Sequence, residues 1–309
     1  MVQVVKHMDF KGRESRIISS AITSVLKEFS KRTDVRKLGK IEIYVTKNPI
    51  GLTKKILSEI QVRRHGEIRE WITQNTPSFT YWTPGKTPII LLNGNERIFK
   101  EMNYNAIEGL FSHELMHLLN KIDGIESKLE EQMDKSGKNI LAILEKHMEK
   151  KPFTKERLFV SLIRVTNTSV LYIKDILANS RLMSFGFDEE LYENYKSTFK
   201  EFLGVKFTEN DIIDALKRDQ KHFLDDIFLI YLGLSISWIS FKMFENKWYR
   251  ELKRMSNIDV PEVIRKNGNP IIKEMLKLRS GKDEKQILKI IEKTQDNYYK
   301  VVTYFCSKI

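Results

Sequence analysis

The sequence predicts an α+β protein that is mostly helix, with a small mixed α/β unit over residues 1–120 and an all-helical unit over residues 121–309. Three observations predict it. Stretches that read as strands occur only within the first 120 residues. Beyond them, apolar residues recur at helical spacing almost without interruption. The breaks in that second part are few and short, and glycine or proline marks most of them. A chain of 309 residues with 41% hydrophobic residues can bury a sizeable core.

The elements follow in order. Residues 15–31 form an amphipathic helix with Ile17, Ile18, Ala21, Val25, Leu26 and Phe29 on one side. Residues 40–46 alternate and read as a strand. A charged helix is expected over 58–74, interrupted at Gly66, and a short strand over 79–82 before a Pro84-Gly85 turn. Residues 87–93 read as a further strand, closed by Asn93-Gly94-Asn95. Pro88 at its start is better tolerated at a sheet edge than inside one, and an edge strand and an ordinary core strand both remain open for this segment. Residues 104–120 read as a buried helix, because Ala106, Ile107, Leu110, Phe111, Leu115, Leu118 and Leu119 recur at helical spacing. A charged connection is expected over 121–138. Helices then cover 139–150, 154–179 or slightly beyond, 189–203, 209–219, 222–246, 261–266, 270–278 and 285–307. Phe185-Gly186-Phe187, Asn267-Gly-Asn-Pro270 and Ser280-Gly-Lys282 are the intervening breaks.

The chemistry concentrates in the buried helix, at His113-Glu-Leu-Met-His117. Two histidines four residues apart project from one helix face, with Cβ atoms roughly 5–6 Å apart. Both imidazoles can therefore reach one Zn2+ at about 2.0–2.1 Å, leaving room for a third protein ligand and a water. Glu114 points to the side of that site. It is poorly placed to ligate and well placed to take a proton from the water. Ala106 and Gly109, on the face of His113, are expected to keep the approach free of bulk.

This pentad is the His-Glu-x-x-His pattern of the zincin metallopeptidases. Asn120 and Asp123 stand where a metzincin carries its glycine and third histidine, which excludes that class. Residues 171–183 resemble the glutamate helix of gluzincins, where an acid ligand precedes a supporting acid by four residues. Asp175 takes the place of the ligand glutamate and Asn179 that of the supporting aspartate, in an Asp-x-x-Ala-Asn variant. The aspartate is one methylene shorter, so its helix must approach the metal more closely. The Gly-Thr-x-Asp motif of aspartate-liganded zincins is absent. His147, Glu189, Glu190, Asp214 and His222 remain alternatives for the third ligand. The resemblance implies a zinc metallopeptidase acting on a peptide or protein, with Glu114 as general base. It also implies a tyrosine, histidine or arginine that stabilises the oxyanion, for which Tyr172, Arg181, Tyr192, Tyr195 and His222 are candidates.

Composition adds bounds. The single cysteine, Cys306, forms no intramolecular disulfide, and residues 1–10 lack the apolar run of a signal peptide. Together they predict a cytoplasmic protein. Residues 227–241 are uncharged and strongly apolar, yet shorter than the roughly 20 residues a bilayer crossing needs. They are expected to form a core helix and no membrane anchor. Formal net charge is +12, of which +7 falls in residues 242–309, with 16 Lys or Arg against 9 Asp or Glu. Such a surface could attract nucleic acid, but no nucleic-acid motif accompanies it, so solvated helix faces are expected. Two other readings fit the same residues: a catalytically degenerate zincin that binds metal or a partner, and a basic nucleic-acid-associated scaffold.

Overall fold

A computed structural model of the chain describes residues 3–9, 11–33, 35–48, 51, 78–82, 85, 87–95, 97–101, 103–148, 153–200, 202–220, 222–278, 281 and 283–309. The helix expected over 58–74 lies outside them. The described elements make an α+β protein dominated by helix, with one four-stranded sheet. Contacts divide the chain into two compact units. The first comprises Met1–Asp123 with Arg181–Thr198, and the second Gly124–Ser180 with Phe199–Ile309. The sequence-based division at residue 120 falls beside the break at Asp123, and the first unit also takes in residues 181–198.

In the first unit, strands β1 (Gln3–Met8), β2 (Lys40–Thr46), β3 (Ser78–Tyr81) and β4 (Ile89–Asn93) are ordered β1-β2-β4-β3. The first two pairings are parallel, and β3 runs antiparallel to β4. β4 is thus interior, and all five of its residues are buried. Of the two readings open for this segment, the edge strand is overturned and the core strand is the one found. Pro88 stands just before the strand, its carbonyl accepting from the Glu42 N–H at 2.9 Å, so no ladder donor is lost within β4. Among the described residues the outer strands are β1 and β3. β1 has no sequence-based counterpart, because Lys6 and His7 break its alternation. Its Lys6 side chain lies on helix α1 (Arg13–Arg32), donating to the Ser19 carbonyl at 3.0 Å, Ser19 Oγ at 2.8 Å and Thr23 Oγ1 at 2.9 Å. Burial lowers the Lys6 pKa below that of an ordinary lysine.

Helix α2 (Tyr104–Ile122) packs against α1 and β3. Its first turn is capped by Asn103, whose Oδ1 accepts from the Ala106 N–H at 3.1 Å. Gly124 ends it in the left-handed region with φ of 73°. Helix α3 (Ile125–Lys146) starts at once, which corrects the connection expected over 121–138. Most of its charges fall on the outer face, while Glu126, Leu129, Gln132, Ser136, Ile140 and Ile143 keep helical spacing on the buried one, where Glu126 accepts from Lys174 Nζ at 3.1 Å. Helix α4 (Lys155–Ser184) passes from the second unit into the first. It stops as expected at Gly186, where the Phe187 N–H returns to the Leu182 carbonyl and that of Gly186 to Met183. Helix α5 (Asp188–Phe199) then packs in the first unit.

The second unit continues with α6 (Glu209–Lys217), α7 (Phe223–Met243), α8 (Tyr249–Met255), α9 (Glu262–Met275) and α10 (Glu284–Lys308). Helix α7 is long and apolar enough to cross a membrane by length and composition, and 72% of its most apolar window is buried within the protein. The turn expected at 267–270 is corrected, because residues 262–275 form one helix with Pro270 inside it. An interior proline costs a helix about 3 kcal/mol, so packing must supply the difference. Gly268 lets the Tyr231 ring approach so closely that a Cβ there would stand 2.5 Å from Cε1, and Tyr231 donates to Asn269 Oδ1 at 2.7 Å.

Helices α9 and α10 are also joined through Glu274, which is 5% exposed. Burial by itself would raise its pKa. Hydrogen bonds from Gln286, Lys293, Lys277 and Lys289 outweigh that effect and hold it at about 2. A carboxyl whose folded pKa lies below its unfolded value stabilises the fold above the unfolded pKa and loses that contribution as pH falls through the folded one. Glu274→Gln should therefore lower the melting temperature at pH 7, and much less at pH 3, within the window from about 4.5 to about 2. Thermal melts of both proteins at the two pH values check this.

Candidate metal centre

Helix α2 is buried along most of its length because its apolar residues do not keep to one stripe. Ala106, Ile107, Leu110, Phe111, Leu115, Met116, Leu118 and Leu119 surround the axis. His113 and His117 are half-buried on the remaining face. Their Nε2 atoms lie 3.0 Å apart, and the rings meet edge to face with centroids 4.5 Å apart. Two nitrogens bound to one tetrahedral zinc at about 2.0–2.1 Å would stand about 3.3–3.4 Å apart. The pair thus converges on one point at nearly the separation that ligation needs, and the donor chemistry fits the metal.

Glu114 leaves the helix beside this pair and is 6% exposed. Its carboxylate turns to strand β3, where residues 78 and 80 share the face toward α2. Ser78 Oγ donates to Oε1 at 2.6 Å, and Thr80 Oγ1 donates to Oε2. Each carboxylate oxygen therefore has one hydroxyl partner and retains a lone pair for a further proton. Sequence reasoning missed Ser78 and Thr80. Their two-residue spacing is the one signal available, and nothing in the sequence shows which helix position a strand will face.

Gly109 serves a purpose other than the expected one. A Cβ there would stand 2.1 Å from the Glu190 carbonyl oxygen and 3.0 Å from Asn194 Cβ, so this face of α2 is filled by helix α5. The small residue permits close helix packing and leaves no open approach. Ala106 on the same face is fully buried.

The other candidate residues are distributed as follows. Arg181, at the end of α4, donates from Nη1 to Asn120 Oδ1 at 2.9 Å and to Asp123 Oδ2 at 2.8 Å, which fastens it to the end of α2. Burial acts to raise the Asp123 pKa, and hydrogen bonds from Lys37 and Arg181 overcome it, so the net direction is down. Asp175 is half-buried six residues before Arg181 on the same unbroken helix, and Asn179 between them is fully buried. Tyr172 commits its hydroxyl to the Leu229 carbonyl at 2.8 Å, and burial raises its pKa well above that of an ordinary tyrosine. Tyr192 is buried beneath Lys196, whose Nζ lies 5.2 Å from the ring centre, and Tyr195 is half-buried on α5. His222 precedes α7 with Nδ1 3.2 Å from Asp225 Oδ2. Among the alternative ligands, His147 Nε2 lies 2.9 Å from the Phe153 carbonyl, and Glu189 and Asp214 are exposed. Burial raises the pKa of half-buried Glu190, and Glu108 and its neighbouring acids add to the effect.

No protein family, curated protein or solved structure matches the chain.

The glycine contact yields a prediction that does not depend on any metal. Gly109→Ala forces a methyl group against the Glu190 backbone, and overpacking of this kind costs about 1–3 kcal/mol. Urea unfolding should show the midpoint lowered accordingly, whereas Gly137→Ala, where an added Cβ meets nothing within 4 Å, should show no loss.

Proposed function

We propose that this chain is a zinc-dependent metallopeptidase of gluzincin-like type, in which His113, His117 and Asp175 hold the metal and Glu114 is the general base. The observation that carries the reading is the convergence of the two Nε2 atoms at 3.0 Å, on a helix whose intervening glutamate is held in a fixed orientation. Support for Asp175 comes from the sequence, where the Asp-x-x-Ala-Asn run over residues 175–179 resembles the glutamate helix of gluzincins.

When bound, zinc supplies Lewis acidity that lowers the pKa of a water and polarises a scissile carbonyl. The protein supplies the rest. His113 and His117 would offer their Nε2 atoms to the metal, and Asp175 would add a carboxylate oxygen. Asn179, one turn beyond Asp175, orients a ligand by hydrogen bonding. The Glu114 carboxylate accepts the proton of the attacking water on a free lone pair and returns it to the leaving amine. The substrate class is a peptide or protein.

A second reading, a zincin that binds metal without cleaving, is favoured by Asp175 and Asn179 in place of the gluzincin glutamate and aspartate. Experiments separate the two. Protein purified without chelators should carry about one zinc per chain by elemental analysis, and the double variant His113→Ala/His117→Ala should carry none. Stoichiometric zinc in that variant sinks the assignment. Glu114→Gln should retain zinc and lose peptide hydrolysis by about 10²–10⁴-fold. Equal cleavage by both proteins would show that Glu114 is no base. Asp175→Ala should weaken zinc binding severely, and Asn179→Ala by about 10–100-fold. Zinc bound to Asp175→Ala as tightly as to wild type would place the ligand elsewhere.

A further inference from the structure

We propose that Ser78 and Thr80 are positioning residues that fix the Glu114 carboxylate for proton transfer, an inference that rests on the metallopeptidase reading above. A glutamate side chain turns about three bonds, and its terminal torsion is broad, so a single hydrogen bond leaves the carboxylate plane free to rotate. Here each oxygen has its own hydroxyl donor, Ser78 Oγ on Oε1 and Thr80 Oγ1 on Oε2. Hydrogen bonds to both oxygens, together with the covalent tether at Cγ, fix the position and the plane of the carboxylate. The donors come from alternate residues of one strand, so the backbone spaces them rigidly. β3 is itself held by β4, with Ser78 opposite Leu92 and Thr80 opposite Ile90. Leu92 and Ile90 are fully buried, so the sheet that carries the clamp is anchored in the core.

The arrangement also explains how a carboxylate 6% exposed is tolerated. An ionised group taken from water needs hydrogen bonds from its surroundings, and hydroxyls supply them without adding a cation. Both carboxylate oxygens are thus partnered from one strand.

The test uses the full zinc-loaded chain with a quenched fluorescent peptide library, and Glu114→Gln as the reference for loss of the base. In Ser78→Ala/Thr80→Val, kcat should fall about 10–100-fold while KM stays within about twofold, because orientation and not binding is lost. Thr80→Ser restores the hydroxyl and should restore kcat to within about threefold of wild type. An unchanged kcat in the double variant, with Glu114→Gln inactive, overturns the positioning role and leaves the peptidase reading intact. Cleavage by Glu114→Gln at the wild-type rate overturns both.

A second readout needs no activity. Urea unfolding of the zinc-free chain is compared for Thr80→Val, Glu114→Ala and the two combined. The midpoint should fall with Thr80→Val alone and change little when Glu114 is already alanine. Additive effects would show that hydroxyl and carboxylate are not coupled, which overturns the proposal whatever the kinetics show.

Discussion

Helix α2 must bury nearly all of its surface while carrying two imidazoles and a carboxylate. A buried polar group without partners is costly, so the surroundings of these three side chains are constrained as strongly as any apolar contact. Glu114 takes its partners from β3, the two histidines face each other, and the end of the helix is tied by Asn120 and Asp123 to Arg181. One turn before His113, Gly109 brings the Glu190 backbone within a distance that no larger residue allows. Strand, helix and returning segment are thus each fixed by one polar or steric demand of α2. The parallel pairing of β1, β2 and β4 provides the apolar floor on which this is built, through Ile41, Ile43, Val45, Ile90 and Leu92.

The second unit solves a related problem with a different chemistry. Its central helix α7 is apolar on nearly every face, yet it begins with a fully buried Asp225. That carboxylate accepts from Ser161 at 3.1 Å and from the Tyr298 hydroxyl, and Arg164 and His222 stand beside it. Burial, with Asp225 alongside, pushes the Tyr298 pKa far up, so the tyrosine remains a donor across the whole working range of pH. Three helices, α4, α7 and α10, therefore meet at one carboxylate. Glu274 does the same for α9 and α10 with lysines. In each case one buried carboxylate gathers side chains from more than one helix.

Much of this architecture was legible in the sequence. Periodicity located α1, β2, β4 and α2, and Gly186 marked the end of α4, because each signal depends on neighbours within a few residues. The histidine spacing determined that His113 and His117 share a helix face, since 3.6 residues per turn leaves no other outcome. The same local logic failed where partners distant in sequence decided the matter. Pro270 reads as a helix stop, but Tyr231 packing on Gly268 carries the helix through it. The charges of residues 121–138 read as a connection, and most of them lie on the outer face of α3.

The sequence by itself determined the α+β character, the helix that carries the His-Glu-x-x-His pentad and the convergence of its two imidazoles. These follow from periodicity and backbone geometry within one element. Only the tertiary structure decided that β4 is interior, that β3 supplies two hydroxyls to Glu114, and that Gly109 serves helix packing. Which strand neighbours which, and what a side chain meets across that boundary, depend on contacts between segments that no local pattern encodes.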